Sequence, residues 1–143
     1  MFDALRSIFG RPDATAFSVE PKLAVAALLV HLAAIDGQVT EAERTALETT
    51  LMDYYGLNES EVRKLVAEAT RQDQESVDFY RFTSALSSLE NSEKLEIIRM
   101  MWQVVFADKR NHELEDNMVW RIAELIGVSS RDRTLLRSQM ARA

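Results

Sequence analysis

The chain has 143 residues, 47% of them apolar and 28% charged, carries a net charge of −6 and contains no cysteine. That length suffices for one domain with a core of its own, while an acidic balance (pI near 5.0) excludes broad nucleic-acid binding, which needs a basic face. Without cysteine there are no disulfides, no thiolate metal site and no cysteine nucleophile, a composition that suits a reducing interior.

In chain order, Phe2, Leu5, Ile8 and Phe9 fall on one face of a short N-terminal helix ended by Gly10 and Pro12. That face either packs on the core or meets a membrane or partner, and so short a segment with so little positive charge favours packing. It has no apolar stretch of the kind a secretory signal requires. Residues 11–16 read as a loop. Pro21 suits the first position of a helix running to Ile35. Being apolar on nearly every side, this helix should be central; at thirteen residues its run 23–35 falls short of the roughly 20 needed to span a bilayer.

The next helix runs from Thr40 to about Tyr54, with Leu47, Leu51 and Tyr54 spaced for burial and Gly56 as its stop. Asn58 opens another, carrying Val62, Leu65, Val66 and Ala69. Residues 71–75 read as a polar linker and the seam of the chain. A helix over 76–89 is expected to bury Phe79, Phe82, Leu86 and Leu89. Asn91 and Ser92 offer caps for a second central helix through Ala107, rich in Leu95, Ile97, Ile98, Met101, Trp102, Val105 and Phe106. A helix over 112–126 should bury Leu114, Met118, Val119, Ile122 and Leu125 before Gly127. Ser129 or Ser130 caps the last, with Leu135, Leu136 and Met140 apolar. Its arginines read as a solvated basic face. No period-two alternation is sustained, so no strand is predicted.

Two acidic elbows punctuate this plan. Asp36-Gly37 stops the first central helix, and Thr40 with Glu43 three residues on forms a capping box that starts the next. Asp36, Glu41 and Glu43 are thus gathered within eight residues. The same spacing returns 72 residues later as Asp108, Glu113 and Glu115, and upstream positions keep register: Leu23/Leu95, Val25/Ile97, Leu28/Met100, Leu32/Val104. This reads as an internal duplication: residues 1–20 form an N-terminal helix and loop, 21–70 a first unit and 76–142 a second.

Carboxylate oxygens suit hard cations such as calcium, magnesium or manganese. Each acid also has a plainer role, since acids are favoured at helix N-termini and in turns. Neither elbow is an EF-hand: with Gly37 at the loop's invariant glycine, the first and third positions are Leu32 and Ala34, and the second copy offers Val104, Phe106 and Lys109. His31 reads as a hydrogen-bonded core histidine and His112 as a cap or surface residue. Neither belongs to a zinc-hydrolase or di-iron pattern, and no glycine-rich phosphate loop or nucleophile elbow appears.

Residues 33–43 followed by Tyr55-Gly56-Leu57, and residues 106–108 and 112–128 of the second half, resemble the TerB-like family, the tellurite-resistance TerB group, over about 22–136. The resemblance implies an all-α compact domain of seven or eight helices built from two similar halves. It implies a place in the bacterial cytoplasm or at the inner face of the membrane, a role in tellurite resistance and stress responses exerted through a protein partner, and acids that bind divalent cations. Carried onto this chain, those acids are Asp36, Glu43, Asp108 and Glu115, with Glu41 and Glu113 beside them. The second elbow departs from the pattern in having Lys109 for glycine and Asn111 for an apolar residue. The expectation is a non-enzymatic accessory protein. The alternatives are a metal-dependent hydrolytic enzyme using the same carboxylates, and a ligand-free scaffold that uses its N-terminal face or its basic C-terminal helix.

Overall fold

The computed structural model describes residues 20–35, 37, 39–75, 80–107 and 113–142, with Glu75 and Arg142 described by their backbone alone. The expected N-terminal helix, Phe79 and His112 lie outside the described residues. Those residues form seven helices and no strand: α1 (Pro21–Ala33), α2 (Glu41–Tyr55), α3 (Glu59–Glu75), α4 (Tyr80–Leu86), α5 (Asn91–Val105), α6 (Glu113–Ile126) and α7 (Ser130–Arg142).

Helix α1 opens with proline at its first position, where the missing N–H costs nothing. Residues 24–29 are all buried in succession, as a helix without a polar side must be, and α1 accordingly packs against α2, α3, α4, α5 and α6. Helix α5 is the second core helix. It buries Ile97, Ile98, Met101, Trp102, Val104 and Val105, and it packs on α1, α2, α6 and α7. Across the middle, α2 lies on α5 while α6 lies on α1, so each core helix receives the helix that follows the other's elbow. One contiguous apolar cluster joins all seven helices.

The expected stops are in place. Gly37, Gly56 and Gly127 all have positive φ, a conformation that costs an L-residue roughly 1 kcal/mol or more. At Gly56 (φ +65°) the chain closes α2 with Leu57 N donating to Met52 O at 3.0 Å.

Three expectations need correction. Asn91 and Ser92 do not cap α5 but are its first residues; the N-cap is Glu90, whose side chain makes no capping bond. Residues 71–75 are not a linker but the last turns of α3, which carries the first group of helices past residue 70. Apolar periodicity does not hold that segment; polar side chains do. Arg71 pairs with Glu68, Gln72 Nε2 donates to Glu68 Oε1 at 3.1 Å, and Asp73 reaches back to His31 on α1 at 3.0 Å. Leu114, expected in the core, is 57% exposed. The buried face of α6 runs Glu115, Val119, Ile122, Ala123 and Ile126, and Leu114 projects to one side of it. Met118 and Leu125, also expected there, are half-buried.

Candidate functional site: two buried glutamates after the elbows

At the first elbow, α1 ends at Ala33 and the chain turns with Gly37 N donating to Ala34 O at 2.9 Å. Thr40 then takes an extended conformation and caps α2 reciprocally. Its Oγ1 accepts from Glu43 N at 3.1 Å, while its N–H and Oγ1 donate to Glu43 Oε1, each at 3.0 Å. Two groups left open at the helix start are thus satisfied by one pair of side chains. What sets this box apart is burial: Glu43 is only 1% exposed. A box of the same chemistry opens α3, where Asn58 and Glu61 exchange bonds of 2.8 and 3.0 Å, but Glu61 is exposed.

After the second elbow, Glu115 is the third residue of α6, as Glu43 is the third of α2, and it is 3% exposed. Next to it, Asp116 receives a two-pronged contact from Arg137 of α7 at 3.0 and 3.1 Å. The Arg137 guanidinium also lies 5.5 Å from the ring centre of Trp102 and 5.6 Å from that of Phe106, rings that are themselves stacked. Arg133 repeats the device one turn earlier, over Trp120 at 5.1 Å and donating to Trp120 O at 3.0 Å. The basic face of the C-terminal helix is therefore partly spent on holding α7 to α5 and α6.

Of the six acids singled out from the sequence, Asp36 and Asp108 lie outside the described residues. Glu41 and Glu113, first in their helices, are exposed; Glu43 and Glu115 are withdrawn from water. Among the described residues no group of three or more histidine or acidic side chains is placed to hold a metal ion.

Read as caps, the acids gave no sign of this burial, yet the signal was present. Glu43, Leu47, Thr50 and Leu51 are spaced i, i+4, i+7, i+8, and Glu115, Val119, Ile122 and Ala123 repeat that spacing. Each glutamate occupies the position where an apolar stripe should begin.

Beside the first elbow, α1, α2 and α3 enclose an open groove of about 270 Å³ with Val30, Ala33, Leu47 and Val66 among its apolar walls and Val39, Arg44 and Asp73 among its edges. Asp73 is the partner of His31. Its hydrogen bond, opposed by partial burial and assisted by its negative charge, raises the histidine above its ordinary pKa. A second, more polar depression of about 250 Å³ lies between α2 and α5, lined in part by Asp53, Tyr54, Glu96 and Arg99. Burial, then the charges of Glu93 and Glu96, raises the Tyr54 phenol there.

A family model described as tellurite resistance protein TerB matches residues 22–138, from the first turn of α1 to the last turns of α7. Neither the search of curated proteins nor that of solved structures returned a significant match. The matched region takes in both elbows, both buried glutamates and all or most of each of the seven helices, and the chain belongs to the TerB family.

Proposed function

We propose that this chain is a non-enzymatic accessory protein of a bacterial tellurite-resistance or stress-response system, that it acts through a protein partner, and that its acidic elbows bind a divalent cation. Family membership supports the first part. The cation reading rests on one observation: Glu43 and Glu115 hold the same place in two helices and are both sealed from water. A carboxylate withdrawn from solvent is costly unless donors or a cation compensate it. Thr40 supplies such donors to Glu43.

The donor set is chemically suited to the task. Asp36, Glu41 and Glu43 on one side, and Asp108, Glu113 and Glu115 on the other, offer only carboxylate oxygens, and the chain has no thiolate. Such donors favour calcium, magnesium or manganese over softer metals. Bound there, the ion would supply neutralising charge and a tie between an elbow and the helix after it. The recurrence of burial, helix order and elbow spacing also leads us to infer that the helices α1–α3 and α5–α7 descend from one duplicated unit. We place the protein in the cytoplasm, working there or at the inner face of the membrane; no helix among the described residues is long and apolar enough to cross a bilayer.

Thermal melting with millimolar calcium, magnesium and manganese tests the cation reading. An ion at about a hundred times its dissociation constant stabilises the folded state by roughly 2.7 kcal/mol. Wild type should gain on this scale with one of the three ions, and D36N/D108N should lose the gain. Unchanged melting of wild type in all three would refute cation binding by the elbows.

A further inference from the structure

We infer that the groove between α1, α2 and α3 binds an aliphatic monocarboxylate, a chain of about eight carbons whose carboxylate is taken by Arg44. Its walls are aliphatic, from Val30, Ala33, Leu47 and Val66. Among the described residues only four large apolar side chains are exposed, and Val39 at this groove is one of them, at 45%. Apolar surface is therefore left open here for a ligand to cover.

Size limits the ligand. A dry cavity of about 150 Å³ lined by similar side chains admits benzene, with six heavy atoms. The groove, at about 270 Å³, has room for roughly ten, the number in an eight-carbon monocarboxylate. No aromatic ring stands among its described lining residues, so it offers no face on which a base or a flavin could stack.

Charge sets the other end. Two ionised side chains line the groove, Asp73 and Arg44. Asp73 is already engaged, 3.0 Å from His31. Arg44 is exposed and makes no hydrogen bond or ion pair among the described residues. That is informative, because Glu41 and Glu48 stand three residues before it and four after it on the same helix, the spacings at which such pairs form. Arg63, Arg71, Arg99 and Arg137 each do pair with a carboxylate. The Arg44 side chain lines the groove instead. A guanidinium presents two parallel N–H donors that match one carboxylate. Gln74, also exposed and without a hydrogen bond among the described residues, adds an amide donor on α3. Aliphatic walls with a single unspent cation fit an amphiphile with one anionic end.

Sodium octanoate is the probe, added to the full chain at neutral pH while methyl signals are recorded. The Val30, Val39, Leu47 and Val66 methyls should shift together along one saturable curve, with Leu135 on α7 unmoved. Octanamide, the same chain without the charge, should bind about tenfold more weakly. In Arg44→Met, which keeps the stem and loses the guanidinium, octanoate should fall to the level of octanamide. Ala34→Leu, which adds bulk to the groove, should weaken both. Arg44 and Ala34 are exposed, so neither change disturbs the core. The assignment would be overturned by the absence of a saturable shift in the groove methyls, by an equal response at Leu135, or by a preference for octanoate that persists in Arg44→Met. Acetate binding as tightly as octanoate would also overturn it, by showing an anion site indifferent to the walls. Groove shifts that appear when the protein alone is concentrated would assign the groove to a second copy of the chain instead. The titrations contain no divalent ion, and their outcome is independent of the cation reading.

Discussion

Thr40→Ala is the most informative single change at the first elbow. It removes the Oγ1 that accepts from Glu43 N at 3.1 Å and donates to Glu43 Oε1 at 3.0 Å. Losing the cap alone costs about 1 kcal/mol, and a hydrogen bond to a charged partner is worth about 1.5–3 kcal/mol. Thr40 is half-buried, so water recovers part of the second loss, leaving a total of roughly 2–3 kcal/mol. Asn58→Ala removes a box of the same chemistry whose glutamate is exposed, and it should cost about 1 kcal/mol or less. Urea unfolding of the two variants beside wild type measures the difference as a shift in midpoint at unchanged slope. The threonine change should cost about 1–2 kcal/mol more than the asparagine change. Equal costs would refute the view that burial of Glu43 gives the first capping box its weight.

Other outcomes follow from the same geometry. The folded-state pKa of His31 is raised by Asp73, so the pair's stabilisation is fully present below the unfolded value of 6.5 and is lost as pH rises through the folded value. Urea midpoints taken across that window should fall with pH in wild type and fall less in Asp73→Asn. Arg137→Ala gives up the two-pronged contact with Asp116 and the stacking over Trp102 and Phe106, for about 1–2 kcal/mol, and lysine should not restore it. By contrast Arg63→Ala, losing an exposed pair with Glu59 at 3.7 Å, should change the unfolding midpoint by less than about 0.5 kcal/mol. Gly56→Ala places a Cβ at φ +65° and should lower stability by about 1 kcal/mol in the same assay, although the Cβ meets nothing within 4 Å.

The helix boundaries were legible because local chemistry writes them. Pro21, Thr40 with Glu43, Gly56, Asn58 and Gly127 each act within one turn of the chain, and each stands where the sequence put it. The central place of α1 and α5 was legible for a related reason: helices with few polar positions have no side to show to water. Residues 71–75 were misread because what keeps them helical is not periodic. It is a cluster around Glu68 and a bond from Asp73 to a histidine 42 residues earlier in the chain. The candidate site was half legible. The acids were found from their spacing, but a glutamate in phase with leucines looks like a cap until the neighbouring helices close over it. Leu114 is the mirror case, an apolar residue one position away from that phase and exposed for that reason.

Burial separates the six acids into pairs that a titration can tell apart. Calorimetry with calcium, magnesium and manganese on E43Q/E115Q and on E41Q/E113Q is the most direct test of the cation reading. Glutamine keeps the side-chain shape, and can still serve in a capping box, while removing the charge. Binding in wild type that vanishes in E43Q/E115Q, and is weakened at most severalfold in E41Q/E113Q, would show that the buried glutamates hold the ion. Equal binding by E43Q/E115Q and wild type, or no heat from wild type with any of the three ions, would contradict it and leave Glu43 and Glu115 as structural acids.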